Sequence, residues 1–121
     1  ANKNLRVLRY ADVLLIHAEA ANENGKTADA IKSLNLVRTR AGLPNTTATS
    51  QAEVREAIYK ERFVEFAMEH DRVFDLRRQG RAGSVMRTHG KNYIDRVHDL
   101  YPIPQRQIDL SGGKMTQNPG Y

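Results

Sequence analysis

The sequence predicts an all-α fold of about four helices that pack as antiparallel hairpins, followed by an irregular C-terminal tail. Apolar residues recur at helical spacing through residues 9–80, and glycines or prolines stand where the helical segments should end. After Gly80, two glycines and no steady apolar period follow as far as residue 100. With 121 residues, of which 40% are hydrophobic, the chain is long enough for one core. We therefore treat residues 1–121 as a single domain.

The first hairpin is predicted from helices at about residues 9–24 and 28–41. Gly25 stands directly after the first helix, where a left-handed residue closes the last turn, and Thr27 is placed to cap the second helix. Gly42, with a proline two residues later, ends the second helix in the order that is typical of helix C-termini.

Small residues are spaced so that these two helices can approach each other closely. Ala18 lies seven residues before Gly25, Ala30 lies five residues after it, and Leu34 follows four residues later. The alanines allow close contact, and the leucine fills the space behind them. The spacing resembles a tetratricopeptide hairpin. One clean copy of the pattern is present, so we expect tetratricopeptide-like pairing for this hairpin.

A capping box marks the start of a third helix, which is predicted over residues 51–70. The Ser50 side chain is placed to accept from the Glu53 backbone N–H, while the glutamate reaches back to the Ser50 N–H. A short helix at residues 72–79 follows, with the residue before it, Asp71, as its N-cap. Residues 81–121 are predicted to be irregular, apart from one short turn within residues 81–100 and one turn at residues 105–110.

Three glutamates four residues apart form an acidic stripe on the third helix. One interpretation is acid–base chemistry on a sugar, which requires a carboxyl with a raised pKa. The other is structural ion pairing, because neighbouring arginines lower the pKa of a carboxyl. We favour ion pairing and expect no enzymatic activity. The predicted structural charge network consists of Glu61, Arg62, Glu65, Glu69, Arg72 and Asp75.

The irregular region supplies the candidate ligand-contacting residues. Exposed aromatic rings stack on sugar faces, and polar side chains bind sugar hydroxyls, so the candidate glycan-binding residues are Asn92, Tyr93 and Arg96. The alternative is that Tyr93 packs this loop against the helices. The basic run from Arg72 to Arg96 could form a nucleic-acid patch. Arginines at a helix end, followed by a solvated loop, explain the run as well, and we predict no nucleic-acid partner.

Composition and motifs exclude several kinds of site. The chain has no cysteine, so disulfides and thiolate metal sites are excluded. The four histidines, His17, His70, His89 and His98, lack metal-ligand spacing, and no nucleotide-binding glycine motif occurs. We therefore predict neither a metal site nor a cofactor. The longest apolar run, residues 13–16, is far shorter than the roughly 20 residues that a membrane span needs.

Five segments of the chain together carry a family resemblance. The segments are RYADVLLIHAEAANENG at 9–25, AIKSLNLVRTRAGLP at 30–44, AIYKERFVEFAMEHDRVFDLRRQG at 57–80, YPIP at 101–104 and QNPGY at 117–121. They resemble the C-terminal region of the SusD/RagB family, occur in the family's order and cover nearly the whole chain. One departure is Gln79, since the family commonly has an aromatic residue between the arginine-rich run and its glycine.

The resemblance implies a binding protein and not an enzyme. Family members are lipid-anchored on the outer membrane of Gram-negative bacteria, bind polysaccharide or other nutrients, and pass oligosaccharide to a TonB-dependent, SusC-like transporter. Their tetratricopeptide-like helix pairs form a scaffold. We expect this chain to be the scaffold portion of a longer parent, whose N-terminal part carries the anchor. The alternative is a helical-repeat protein-interaction module that binds no glycan.

Overall fold

The structure, a computed structural model, describes residues 7–121 and contains six α-helices and no strand within that range. The prediction of an all-α fold is confirmed, although the described residues form six helices where about four were expected. The helices are α1 (Tyr10–Glu23), α2 (Thr27–Arg40), α3 (Gln51–Glu65), α4 (Arg72–Arg78), α5 (Ala82–Thr88) and α6 (Gln105–Leu110). None of them has the length and apolar character needed to cross a membrane.

The described residues divide into two compact units. The first, residues 7–69, contains α1, α2 and α3, and the second, residues 70–121, contains the three shorter helices and the loops between them. The assignment of residues 1–121 to a single domain stays a prediction, and residues 1–6 lie outside the described part of the chain.

The core of the first unit is built where α1, α2 and α3 meet. Ala18, Ala30 and Leu34, which the sequence placed at the contact of the hairpin, are fully buried, and so are Val54 and Ile58 of α3. Small side chains on α1 and α2 therefore let the larger residues of three helices share one core. The helix hairpin is observed, whereas its tetratricopeptide-like character stays a prediction.

Left-handed glycines end both helices of the hairpin, as predicted. Gly25 has φ +74° and Gly42 has φ +73°, and the residue after each glycine donates its N–H back into the helix, from Lys26 to the Ala21 carbonyl at 2.8 Å in the first case. The capping role predicted for Thr27 is wrong. Helix α2 begins at Thr27 itself, and Lys26 occupies the N-cap position without a side-chain bond.

The capping box of α3 is confirmed. The Ser50 Oγ accepts from the Glu53 N–H at 3.3 Å, and the Glu53 carboxylate accepts from the Ser50 N–H at 3.0 Å and the Thr49 N–H at 3.1 Å. The hydrogen bonds from the backbone of Ser50 and Thr49 lower the pKa of Glu53 to about 2. The start of α3 is thus specified locally, by neighbouring residues.

The C-terminal end of α3 differs from the prediction. The helix stops at Glu65 and not at residue 70, because Met68 and His70 adopt left-handed backbone angles, with φ of 70° and 69°. Asp71 holds the predicted N-cap position of the short helix α4, but its side chain makes no capping hydrogen bond. No glycine or proline announces this interruption, which is why the helical pattern concealed it.

The region predicted to be irregular, residues 81–121, contains two short helices, α5 and α6. The tail is thus more helical than predicted, since α5 stands where a loop with one short turn was expected, while α6 covers the residues 105–110 for which one turn was expected. Helix α5 has only seven residues and includes Gly83, so it shows no apolar period that would reveal it in the sequence. Residues 91–104 and the stretch after α6 are non-helical apart from turns.

Side-chain hydrogen bonds fasten the C-terminal end to the loop that precedes α6. The Gln117 amide pairs with both backbone groups of Ile103, accepting at 2.8 Å and donating at 2.9 Å. Asn118 donates to the Tyr101 carbonyl at 2.6 Å, and the Tyr121 hydroxyl donates to the Leu100 carbonyl at 3.1 Å. The two family-like motifs YPIP and QNPGY thus contact each other and hold residues 100–103 in place.

Candidate functional site

The candidate site lies in the second unit, in the loop between α5 and α6 that contains the predicted glycan-binding residues. Arg77 of α4 holds this loop. Its guanidinium donates to the His98 carbonyl at 2.7 Å and lies over the Tyr101 ring, 4.5 Å from the ring centre. Because Arg77 comes from a helix, it fixes the position of an otherwise non-helical segment.

Tyr93 is bound from within the loop. Its hydroxyl donates to Asp99 at 2.7 Å, its ring meets His98 edge-on with 5.4 Å between centres, and the second Asp99 oxygen accepts from the Arg96 N–H at 2.7 Å. Burial and the hydrogen bond to Asp99 raise the pKa of Tyr93, while the hydrogen bonds from Tyr93 and from the Arg96 N–H lower the pKa of Asp99. The turn over residues 93–99 is therefore held by its own polar side chains.

Of the three predicted glycan-binding residues, Tyr93 and Arg96 lie in this turn and Asn92 directly precedes it. Asn92 and Arg96 are exposed, and Arg96 has a left-handed φ of 68°. Tyr93 is half-buried, and its hydroxyl is already engaged by Asp99, so the part of Tyr93 left for a ligand is its ring. The assignment of these three residues to glycan binding stays a prediction.

A small cleft adjoins the turn. It has a volume of about 240 Å³ and is lined by Arg77, Gly80, Ala82, Gly83, Asp95 and Asp99. Asp95 accepts from Arg87 at 3.0 Å, and a Cβ on Gly83 would come within 1.9 Å of the Asp95 carboxylate. The glycine thus lets Asp95 lie directly against α5. The prediction overlooked Asp95, Asp99 and Arg77, and because it did not include α5, it gave no reason to interpret Gly83 as a point of close approach.

The acidic stripe lies in the first unit, on α3 and directly after it, and is paired with arginines of α2 and with Arg9, which precedes α1. Glu61 contacts Arg38 at 2.7 Å, and Glu65 contacts Arg9 at 2.7 Å and also Arg40. The remaining pairs are Glu69 with Arg9 at 2.9 Å and Arg62 with Asp12 at 2.8 Å. These ion pairs join α3 to both helices of the hairpin.

Phe66 completes this cluster. The guanidinium carbons of Arg9 and Arg62 each lie 5.0 Å from the centre of its ring, which is itself buried. Stacking on an aromatic face and bidentate pairing are the contacts that arginine makes better than lysine. The end of α3 is therefore bound to the start of α1 by charge and by ring contacts together.

Two of the six residues in the predicted charge network lie elsewhere. Asp75 belongs to the second unit, is buried, and pairs with Arg78 at 2.9 Å. Arg72 is in the same unit, and burial lowers its pKa. Glu61, Arg62 and Glu65 of α3 and Glu69, which follows the helix, thus share a cluster in the first unit, while Arg72 and Asp75 belong to the second. The structural role of the six stays a prediction.

Glu65 lacks the electrostatics of a catalytic acid. Burial raises the pKa of its carboxyl, but hydrogen bonds from Arg9 and Arg40 oppose this effect, and the pKa of Glu65 is lowered overall. A glycosidase acid needs the opposite shift. Within residues 7–121 there is also no group of three or more side chains of the metal-binding types close enough to hold an ion.

Comparisons with a protein-family model and with known proteins both find SusD or SusD-like proteins. The model of the SusD family matches residues 1–121. SusD-like protein P25 of Formosa agariphila is 43% identical, with 89% of this chain and 22% of that protein covered. SusD-like protein P2 of the same organism is 31% identical, with 100% of this chain and 26% of that protein covered.

Solved structures show the same likeness. The surface glycan-binding protein A from Bacteroides thetaiotaomicron is 37% identical with a TM-score of 0.83, and 98% of this chain and 25% of that chain are covered. A SusD homolog from the same species is 30% identical with a TM-score of 0.83, and 100% of this chain and 29% of that chain are covered. The chain spans about a quarter of the length of these relatives.

Proposed function

The chain belongs to the SusD family, and we propose that it is the scaffold portion of a cell-surface protein that binds glycan or another nutrient and delivers oligosaccharide to a TonB-dependent, SusC-like transporter. The observation that carries the proposal is the match over the whole chain, together with 37% identity to a surface glycan-binding protein at a TM-score of 0.83. The protein acts by binding and not by catalysis.

The first unit supplies the scaffold. Its three helices share one apolar core, and ion pairs join α3 to α1 and α2 at one end of the bundle. Apolar burial supplies most of the stability, and the arginine–carboxylate contacts fix the direction of α3 against the hairpin.

The second unit supplies the glycan contact. Asn92, Tyr93 and Arg96 lie on or directly before a turn that Arg77 and Asp99 hold in place, so a sugar meets a preformed surface and little entropy is lost on ordering it. Family membership further leads us to place the parent protein on the outer membrane, lipid-anchored through an N-terminal segment. No cofactor and no nucleic acid take part.

The test is isothermal titration of a panel of polysaccharides into the 121-residue chain and into the longest natural protein that contains it. We expect the longer protein to bind at least one polysaccharide. Binding to the 121-residue chain as well assigns contacts to the turn, and Tyr93→Ala should then weaken it, whereas Tyr10→Ala, at an exposed tyrosine of the first unit, should not. Absence of binding to both proteins across the panel would overturn the proposal.

A protein-interaction module is the second candidate, and an exposed apolar stripe on α1 favours it. Tyr10, Val13 and Ile16 are 74%, 45% and 53% exposed and recur every three residues along the helix. The stripe adjoins an apolar cleft of about 400 Å³ between α1 and α2, with Arg9 and Arg40 among its lining residues. A stripe with this spacing is the ridge onto which another helix packs, so the expected occupant is an apolar helix of a protein partner.

A synthetic amphipathic helix with glutamates beside a leucine stripe tests the second candidate. If this surface binds helices, the peptide should bind the chain, and Ile16→Glu should abolish binding while Tyr93→Ala leaves it unchanged. A peptide that fails to bind, in a protein that does bind glycan, would eliminate the second candidate and leave the first.

A further inference from the structure

We propose that the 240 Å³ cleft of the second unit binds a single neutral sugar ring, with Asp95, Asp99 and Arg77 as the groups that contact its hydroxyls. The inference rests on the proposed glycan-binding function and adds to it a subsite and a substrate class. The cleft lies beside the turn that carries Tyr93, and Asp99 belongs to both, since it lines the cleft and accepts from the Tyr93 hydroxyl at 2.7 Å.

The size of the cleft suits one ring. At about 30 Å³ of liquid volume per water molecule, a volume of about 240 Å³ corresponds to roughly eight waters. Pockets for larger, drug-sized ligands start at about 300 Å³. The space therefore accommodates a monosaccharide unit and not an oligosaccharide, which would have to continue outside the cleft along the exposed turn.

The lining has hydrogen-bonding capacity that the protein leaves unused. A carboxylate offers about four acceptor positions. Asp95 uses one on Arg87, and Asp99 uses two, on Tyr93 and on the Arg96 N–H. The Nε of Arg77 is buried and has no acceptor among the described residues. Because that Nε is itself buried, the unused positions open to a sugar hydroxyl are those of the two carboxylates.

Two glycines shape the walls. Gly80 has φ +66°, which other residues adopt with strain, and Gly83 allows the Asp95 carboxylate to lie where a Cβ would come within 1.9 Å of it. Neither glycine projects a side chain into the space. The lining thus combines polar side chains with the bare backbone of two glycines, a combination that leaves room for a sugar ring and offers groups for its hydroxyls.

The charges of the cleft select a neutral sugar. Two carboxylates and one guanidinium line it, so the charges of the lining residues sum to one negative charge, which disfavours a uronic acid relative to a neutral sugar. Hydrogen bonds from sugar hydroxyls to ionised carboxylates are stronger than bonds between neutral groups. A neutral hexose gains these bonds without the repulsion, and we therefore name neutral hexose as the substrate class.

Titration of methyl α-glucopyranoside into the isotopically labelled chain, followed by amide chemical shifts, tests the inference. Affinity in the millimolar range is expected, because a single ring offers few contact atoms. The amides of Gly80 and Gly83 should shift, while those of Gly25 and Gly42 in the first unit should not. Galacturonate at the same concentration serves as the charged probe and should bind at least tenfold more weakly.

A matched pair of variants isolates the carboxylate. Asp95→Asn should weaken binding of the glucoside at least tenfold, whereas Asp109→Asn, which alters an exposed aspartate of α6 that also accepts one hydrogen bond, should leave it unchanged. The amide spectrum of each variant shows directly whether it is folded. Equal weakening by both substitutions, or galacturonate binding as tight as glucoside binding, would overturn the inference.

The outcomes separate the inference from the proposed function. If a polysaccharide binds the chain or the longer protein while Gly80 and Gly83 remain unshifted with both polymer and glucoside, the cleft is not a subsite and the proposed function stands. If neither a polysaccharide nor the glucoside binds, both fail. Glucoside-dependent shifts at Gly80 and Gly83 that Asp95→Asn removes would support the inference.

Discussion

Replacing Glu65 by glutamine should destabilise the protein, because this carboxylate joins three helices. Glu65 of α3 contacts Arg9 just before α1 at 2.7 Å and also Arg40 at the end of α2, and its side chain is only 9% exposed. Glutamine keeps the shape of the side chain and removes its charge. The substitution therefore tests the ion pairs and leaves the packing of the helix unchanged.

The structure sets the size of the expected effect. A hydrogen bond to a charged group contributes about 1.5–3 kcal/mol when it is shielded from water, and the Arg9 contact is of this kind. The Arg40 side chain is 59% exposed, so its contact contributes only about 0.5 kcal/mol. Arg9 keeps its bonds to Glu69 and to the Glu65 carbonyl. The expected loss is about 2–3 kcal/mol, or roughly 8–12 °C in Tm for a chain of this length.

Urea denaturation followed by circular dichroism measures the loss, with Glu23→Gln as the matched control. Glu23 accepts two hydrogen bonds from Arg55, of 2.5 and 2.6 Å, but both side chains are substantially exposed. Glu23→Gln should therefore lower the free energy of unfolding by less than about 1 kcal/mol. If Glu65→Gln costs no more than Glu23→Gln, Glu65 does not hold the three helices together and the reasoning is refuted.

The effect of Glu65→Gln on stability should depend on pH. The pKa of Glu65 is lowered in the folded protein. The ionised carboxylate therefore stabilises the fold fully above the unfolded pKa of about 4.3, and this stabilisation is lost as the pH falls through the lower pKa of the folded state. The stability difference between the wild-type protein and Glu65→Gln should therefore shrink in acid. A difference that stays constant down to strongly acidic pH would show that it does not arise from the ionised carboxylate.

Three further substitutions test the core, the cap and the cleft. Leu34→Asp should unfold the first unit because it buries a charge, whereas Leu36→Asp on the exposed side of α2 should cost less than about 1 kcal/mol; equal Tm values for the two would disprove the packing. Ser50→Ala should cost about 1 kcal/mol in urea denaturation by removing the cap, and no loss would mean that the cap contributes nothing. Gly83→Ala should move Asp95 out of its position while changing stability by no more than about 1 kcal/mol, so amide shifts caused by methyl glucoside should disappear although the protein stays folded; unchanged shifts would count against the cleft.

Features specified by neighbouring residues were predictable from the sequence. The glycines that end α1 and α2 and the capping box of α3 each depend on a few consecutive residues, and the structure confirms them. The buried Ala18, Ala30 and Leu34 were predictable for the same reason, since helical spacing alone puts them on one face.

Features that depend on distant residues were not predictable. The acidic stripe was visible, but its partners Arg9, Arg38 and Arg40 are 23 to 60 residues away in sequence, and no local pattern selects them among the other basic residues. The left-handed residues that stop α3 carry no glycine signal, and α5 is too short to show a period. In the site, the prediction found the turn from its residue types and overlooked the arginine that holds it, because Arg77 lies on a helix earlier in the chain.

The way in which the carboxylates are used favours binding over glycoside cleavage in both units. In the first unit, Glu61, Glu65 and Glu69 each pair with arginine. In the second, Asp99 faces a cleft, but hydrogen bonds from Tyr93 and from the Arg96 N–H lower its pKa. Cleavage of a glycosidic bond needs one carboxyl that keeps its proton near neutral pH. An Asp99 that stays ionised accepts hydrogen bonds from sugar hydroxyls and has no proton to give to the leaving oxygen, so a glycan held there would be released intact.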